Sequence, residues 1–191
     1  MEPLVQIHPT AVIDKPCQIG KGTSIWHFAH IMSEAEIGCD CTIGQNVVVF
    51  PHVKLGRGVK VQNNVSIYTG VICEEDVFLG PSCVFTNVIN PRAFINRKDE
   101  FKQTYIRKGA TIGANATIVC GHEIGAYALI GAGAVITKDV KAYALMVGNP
   151  AIQIGWVSRA GLRLVFDSED VAQCPETKEK YKLTDKGLCC L

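Results

Sequence analysis

An aliphatic or large apolar residue recurs at every sixth position from Ile7 onward: Ile7, Ile13, Ile19, Ile25, Ile31, Ile37, Ile43, Val49, Leu55, Val61, Ile67, Cys73, Leu79 and Phe85. Four residues further on stands a small or β-branched side chain, as at Ala11, Cys17, Thr23, Ala29, Ala35, Cys41, Val47, Val53, Val59, Val65, Val71, Val77 and Cys83. The pattern resumes at Ile106, Ile112, Ile118, Ile124, Ile130 and Ile136. A period of six fits neither the helical 3.6 nor the simple strand period of 2. It suits a short strand and a turn repeated as one side of a coil. Glycine often follows the aliphatic residue, at Gly20, Gly38, Gly44, Gly56 and Gly80. A tight corner there calls for a positive φ or a missing Cβ.

Two stretches depart from the period. Residues 91–105, "PRAFINRKDEFKQTY", begin with a proline that cannot donate to a sheet ladder, and they are charged. They are expected to leave the coil as an external loop, and loops on rigid scaffolds often carry function. Beyond Gly148 the pattern ends at "GNPAIQIGW", where Asn149-Pro150 makes a turn. Residues 157–165 read as a short helix or a strand. "YKL" and "LCC", around a turn at Asp185 to Gly187, read as a hairpin. The expected domains are 1–151, the coil with its inserted loop, and 152–191, a small C-terminal tail.

Composition narrows the class. The chain has 191 residues and a net charge of +1, which gives no electrostatic footprint for nucleic acid. "MEPLVQIHPT" lacks the features of a signal peptide and "YALIGAGAVI" is too short and glycine-rich to span a bilayer. A cytoplasmic protein with no membrane partner is expected. The nine cysteines come without a secretory signal, so reduced thiols are expected. Cys17, Cys41, Cys73 and Cys83 fall on inward positions, whereas Cys39 and Cys120 fall on outward ones. The three tail cysteines lack the C-x-x-C spacing of a zinc site.

The blocks "IHPTAVID", "IWHFAHI", "VKVQNNVSIYTGVICEEDVFLGPSCVFTNVINPR" and "GANATIVCGHEIGAYALIGAGAVITKDVKAYALMVGNPA" resemble hexapeptide-repeat nucleotide-sugar N-acetyltransferases, and so does the "CPET" tail. The likeness is nearest to those acting on UDP-2-acetamido-3-amino-2,3-dideoxy-D-glucuronate in O-antigen (lipopolysaccharide) synthesis. It implies an all-β, left-handed parallel β-helix. Periodicity alone would favour a right-handed crossover. Twenty hexads, three to a coil, make six to seven coils, roughly 30 Å tall at about 4.8 Å per layer. The resemblance further implies acetyl-CoA as co-substrate, a UDP-amino sugar as acceptor, and a homotrimer with active sites between subunits. Two apposed faces can form a pocket that one flat face cannot.

In an eighteen-residue coil, Asn87, Thr69 and Pro51 stack in a column, flanked by Tyr68 and His52 and lying under the loop exit. Asn87 is the candidate catalytic residue, able to orient the sugar amine or donate to an oxyanion. Many members of the branch have Tyr-Glu-Gly where this chain has Tyr68-Thr69-Gly70, which removes a carboxylate base. The proton is then expected to leave through the CoA sulfur or water, with catalysis mostly positional. Gln62, Asn63, Asn64, Tyr68, Thr69, Arg92, Arg97 and Lys98 are the expected substrate contacts. The cations suit a pyrophosphate or a sugar carboxylate.

Gly131, Ala132, Gly133, Ala134, Lys138, Asn149, Pro150 and Ala151 are the expected acetyl-CoA contacts. Glu74, Glu75 and Asp76 are expected to be mostly solvated at a corner. His52 is a possible substitute base, and His122 is expected at a small inward site. His27 and His30 lack the spacing of a zinc centre, so no metal is expected. The alternative acceptor is a dTDP-linked 3-amino-3,6-dideoxyhexose. A third reading is a non-catalytic hexapeptide-repeat binding subunit.

Overall fold

The computed structural model describes residues 4–185 and 187–191. The first three residues of the expected 1–151 domain, and Lys186 in the expected tail turn, lie outside the described residues. The chain winds through three parallel sheets that form the faces of a prism. Gln6–Ile7 begins the first face, Val12–Ile13 the second and Gln18–Ile19 the third. Lys60 pairs with Phe78, a step of eighteen, and the same step relates Gln6 to Ser24 and Glu36 to Lys54.

The aliphatic positions point inward, and Ile31, Ile43, Val49, Val61, Ile67, Leu79, Ile112 and Ile118 are completely buried. Each side chain stacks on its neighbours one level above and below, so a repeated sequence yields a continuous core. Six to seven coils describe the second and third faces. The first face goes further, being nine-stranded and ending in Ala144–Val147 and an antiparallel last strand, Ile152–Trp156. That added level has no hexad spelling. Met146 pairs with Ile130 across a step of sixteen, because this coil is two residues short.

Three edges join the faces. We call the turns at 8–11, 26–29, 44–47, 62–65, 80–83, 113–116 and 131–134 the first edge. Those at 14–17, 32–35, 50–53, 68–71, 86–104, 119–122 and 137–140 form the second, and the third carries 20–23 and its repeats. The glycine after the aliphatic residue serves close approach and not positive φ. A Cβ on Gly56 would lie 2.6 Å from the Glu74 carbonyl carbon, and one on Gly80 2.7 Å from the Ala114 nitrogen. The left-handed residue comes two positions later and is often Asn or Asp, as at Asn46, Asn64 and Asp76.

The loop is inserted without disturbing the ladder. Phe78 pairs with Thr111, a step of thirty-three, which exceeds eighteen by fifteen, the length of 91–105. Outside the prism the loop forms a bridge between Arg92 and Ile95 and a single 3-10 turn, Lys98–Glu100.

Several residues sit elsewhere than expected. Cys120 is buried at 1% exposure, not accessible, while His122 turns partly outward and its ring faces Asp139 at 3.3 Å. An imidazole is too large and too polar for the small inward site, and the thiol fills the interior in its place. Glu74 and Glu75 are ion-paired across levels with Arg107 at 2.8 Å and Lys108 at 2.6 Å, not simply solvated. Residues 157–165 are neither helix nor strand, but a turn closed by a bridge between Val157 and Arg163. The tail hairpin, Lys180–Thr184 with Gly187–Cys190, gains a third strand, Val171–Gln173. Tyr181, Leu164, Ala172, Cys174, Leu188 and Tyr143 form a second core. Trp156 packs against both cores and fastens the tail to the prism.

Candidate active site

The expected site residues separate by edge. Tyr68, Thr69 and Asn87 lie on the second edge, and the loop with Arg92, Arg97 and Lys98 springs from the same edge. The column geometry holds at its base, where the Thr69 hydroxyl donates to the Pro51 carbonyl at 2.8 Å. Tyr68 and Asn87 line one open groove of about 480 Å³ with Val84, Ile89, Pro91 and Val119. Tyr68 leans on Phe50, with ring centres 4.7 Å apart. The Asn87 backbone carbonyl accepts from the Lys102 N–H at 2.9 Å, which ties the loop's return to the column. No hydrogen bond among the described residues engages the Asn87 carboxamide. It is therefore available to a ligand in the groove.

His52 is not part of this groove. It pairs with Glu34 at 2.9 Å in a different hollow, beside Pro16 and Gln18. The turn geometry accounts for this, because His52 occupies the left-handed corner position and its side chain falls toward the coil below. In the loop, Arg97 Nη1 donates to both Glu100 oxygens at 2.8 and 3.0 Å. Its Nε is buried without a partner. Arg92 donates to the Pro91 carbonyl at 3.0 Å, and Lys98 is exposed.

Gln62, Asn63 and Asn64 occupy the first edge, one whole face away. Six residues of sequence carry the chain from one edge to the next, so neighbours in sequence face different directions. Asn63 Oδ1 accepts from the Gln45 N–H at 2.9 Å, and Asn64 Oδ1 accepts from Asn46 Nδ2 at 3.1 Å. Gln62 and Asn63 line a groove of about 360 Å³ with Trp26, His27, Thr42 and Gln45. Trp26 and Gln45 were not singled out from the sequence. The signal was present, since Trp26 follows an inward isoleucine at a corner and has no core to enter.

Gly131, Ala132, Gly133 and Ala134 lie higher on that first edge, adjoining the turn at Asn149, Pro150 and Ala151. Ala132, Gly133, Asn149 and Pro150 are exposed, and a Cβ on Gly133 would meet nothing within 4 Å. An extended chain could lie along this open backbone. Ala151 is buried and donates its N–H to the Val135 carbonyl at 2.9 Å, so it closes the coil. Lys138 stands on the second edge, above the Asn87 column. The His30 Nε2 ring nitrogen meets the Asp14 carboxylate, which accepts, at 2.8 Å, and His27 stacks on His8. Among the described residues no three His, Cys, Asp or Glu side chains gather in a metal-binding group. No helix among them is long and apolar enough to cross a membrane.

Comparison with known proteins agrees with this architecture. The family model "Bacterial transferase hexapeptide (six repeats)" matches residues 16–51 and 103–138, and "Hexapeptide repeat of succinyl-transferase" matches 35–69. The chain is 42% identical over 180 residues to dTDP-3-amino-3,6-dideoxy-alpha-D-galactopyranose 3-N-acetyltransferase of Aneurinibacillus thermoaerophilus, covering 94% of this chain and 91% of that one. It is 30% identical over 177 residues to the bifunctional protein GlmU of Heliobacterium modesticaldum, covering 80% of this chain but 37% of that protein. Among solved structures, the acetyltransferase domain of PglB from Neisseria gonorrhoeae in complex with acetyl coenzyme A superposes with a TM-score of 0.55 at 23% identity. That match covers 80% of this chain and 58% of the other. WeeI from Acinetobacter baumannii gives 0.51 at 22% identity, covering 78% and 57%. At these identities the structural likenesses show a shared fold.

Proposed function

The chain belongs to the hexapeptide-repeat sugar N-acetyltransferase family, and from that premise we propose that it transfers the acetyl group of acetyl-CoA to the 3-amino group of a dTDP-linked 3-amino-3,6-dideoxyhexose. The observation that carries this reading is the 42% identity to a dTDP-amino-sugar 3-N-acetyltransferase across nearly the whole of both chains. The UDP-linked uronate has less support. Beyond the likeness of the sequence blocks, it leans on the missing carboxylate after Tyr68 and on the loop cations, and one of those, Arg97, is paired with Glu100 at 2.8 Å.

In this proposal the neutral sugar amine attacks the thioester carbonyl, a C–N bond forms, the C–S bond breaks, and CoA leaves as the thiol with the amine's proton. Asn87 orients the amine or donates to the carbonyl oxygen as charge develops there. Tyr68 and Thr69 shape the acceptor groove, with Arg92 and Lys98 near its mouth. The open backbone at Ala132 and Gly133 and the Asn149-Pro150 turn suit the pantetheine chain, whereas Ala134 is fully buried in the core and drops out of the expected contacts. Lys138 would meet a phosphate.

The proposal includes left-handed winding, a tail at 152–191 accessory to the 1–151 catalytic domain, and a homotrimer in the cytoplasm. The split of the site residues between two edges supports the trimer, because unlike edges of adjacent prisms can face each other across a cleft. The test is purified protein with acetyl-CoA and either the dTDP-linked aminodeoxyhexose or the UDP-linked amino uronate, with free CoA thiol followed over time. Faster turnover of the dTDP sugar is expected. Thiol release with neither would refute nothing less than the enzymatic reading if it stayed at the acceptor-free rate.

A further inference from the structure

Two aliphatic side chains beside Asn87 are not used by the acetyl-transfer chemistry. Val84 is 46% exposed and Ile89 61% exposed, and both line the groove that holds Asn87. Val84 is the outward residue of the strand Val84–Phe85, whose inward Phe85 is buried at 1% exposure. In register it has Ser66 on the level below and Thr117 on the level above, so it stands as an apolar step between two hydroxyls. Ile89 follows Asn87 by two residues, which keeps the two within about 7 Å along the backbone. Single exposed aliphatic residues are ordinary on a surface, but two that flank a candidate catalytic group in one groove form a contact surface.

The polar groups in this groove are few. Among the described residues no charged side chain lines it. The Thr86 hydroxyl accepts from the Cys120 N–H at 2.9 Å, which leaves the Asn87 carboxamide and the Tyr68 hydroxyl as the unengaged polar side-chain groups. Arg92, Arg97 and Lys98 border a separate hollow in the loop, with Ile95 and Phe101. A carboxylate pressed against Val84 and Ile89 would lose hydration and find no counter-charge there, and a hydroxyl would lose a hydrogen bond. A methyl group would give up nothing and bury apolar area.

We propose that Val84 and Ile89 seat the C6 methyl group of the acceptor sugar, and thereby select a 6-deoxyhexose over a 6-hydroxy sugar or a uronate. The inference rests on the proposed reading of the protein as an N-acetyltransferase of a 3-amino-3,6-dideoxyhexose. In such a pyranose the amine on C3 and the methyl on C5 stand on the two carbons either side of C4. An amine held at Asn87 therefore brings the methyl within a ring's width of it, the range that Val84 and Ile89 cover. The methyl of the acetyl group offers the same chemistry. Val119 lies one level above Asn87, towards the open backbone suited to pantetheine, and is the nearer apolar surface for that group, while Val84 and Ile89 lie at the level of Asn87 itself.

The test compares two dTDP-linked acceptors that differ only at C6, the 3-amino-3,6-dideoxyhexose and its 6-hydroxy counterpart, so that the nucleotide is held constant. Initial rates of CoA thiol release give kcat/KM for each sugar with the full-length wild type, Val84→Thr and Ile89→Thr. The rates are repeated with propionyl-CoA as donor, and melting temperature checks the fold. Threonine keeps the β-branched shape and exchanges a methyl for a hydroxyl. The wild type should prefer the 6-deoxy sugar on the order of tenfold, a modest penalty for a hydroxyl brought against an apolar surface. Each variant should reduce that preference about threefold or more, through a lower kcat/KM for the deoxy sugar, with the KM of acetyl-CoA unchanged. Equal kcat/KM for the two sugars in the wild type, or a preference untouched by both substitutions, overturns the seat and leaves the N-acetyltransferase standing. A raised KM for acetyl-CoA, or a shifted choice between acetyl-CoA and propionyl-CoA while the sugar preference holds, also overturns it and assigns the surface to the acyl group. Thiol release with neither sugar above the acceptor-free rate refutes the proposed function, and the seat falls with it.

Discussion

At the scale of single residues, Asn87 shows how a coil can free a side chain for chemistry. Its backbone is fixed by Lys102 while its carboxamide stays unengaged in a groove with Tyr68. Replacing it with alanine should lower kcat on the order of a hundredfold or more, the usual effect of removing one donor to a developing oxyanion. CoA affinity, measured by titration, should barely change, and equal activity in the variant would refute the assignment. The asparagine's place at the loop root was legible from the eighteen-residue column. His52 was not placed correctly by the same arithmetic. Stacking locates a Cα, whereas the direction of a side chain depends on φ at the corner, and His52 sits at φ 61°. Asn63 and Asn64 teach the complementary lesson, since their amide oxygens serve the neighbouring coil.

At the scale of elements, the inserted loop and the ion-pair ladder can be tested apart from the chemistry. The ladder resumes after the loop with every inward residue in place, which makes the insertion separable from the scaffold. Deleting residues 88–102 removes fifteen positions and keeps both Asn87 and the spacing from Phe85 to Ile106 at one hexad. The shortened protein should fold, with an unchanged far-UV circular dichroism spectrum, and lose turnover of the amino sugar. A failure to fold would show that the loop supports the coil.

On the third edge, the Arg107 guanidinium, and then the Lys108 N–H, hold the Glu74 carboxyl below its ordinary value. Arg107 also reaches Glu123 at 2.5 Å. Because the folded-state value of Glu74 is depressed, its stabilisation is complete above the unfolded value and is lost as pH falls through the folded one. The melting temperature of the wild type should therefore fall more steeply with acidification in that window than that of Glu74→Gln. Parallel curves would show that the pair contributes nothing, as exposed pairs often do. The sequence placed these residues at a corner, but their partners lie thirty-three positions away across the insertion, where no local pattern points to them.

At the scale of the molecule, a prism of this kind has two ends and three edges to manage. The tail packs against the upper coils, where Tyr127 and Tyr143 stack 5.3 Å apart and Tyr143 meets Tyr181 edge-on at 5.8 Å. The proposed site residues divide between the first and second edges, which is what a site shared between two chains would require. Sedimentation should give a particle of three times 20.7 kDa. An active monomer at assay concentration would refute the shared site.

The sequence by itself determined the winding unit, the inward aliphatic position of each hexad and the length of the insertion, because all three follow from a period that repeats locally along the chain. Only the tertiary structure decided which edge each candidate faces, that Cys120 and His122 exchange their expected environments, and that Trp26 joins Gln62 across a groove. Those relations depend on counting turns in threes and on φ at individual corners. They bring together residues eighteen or more apart, where no local pattern can register the contact.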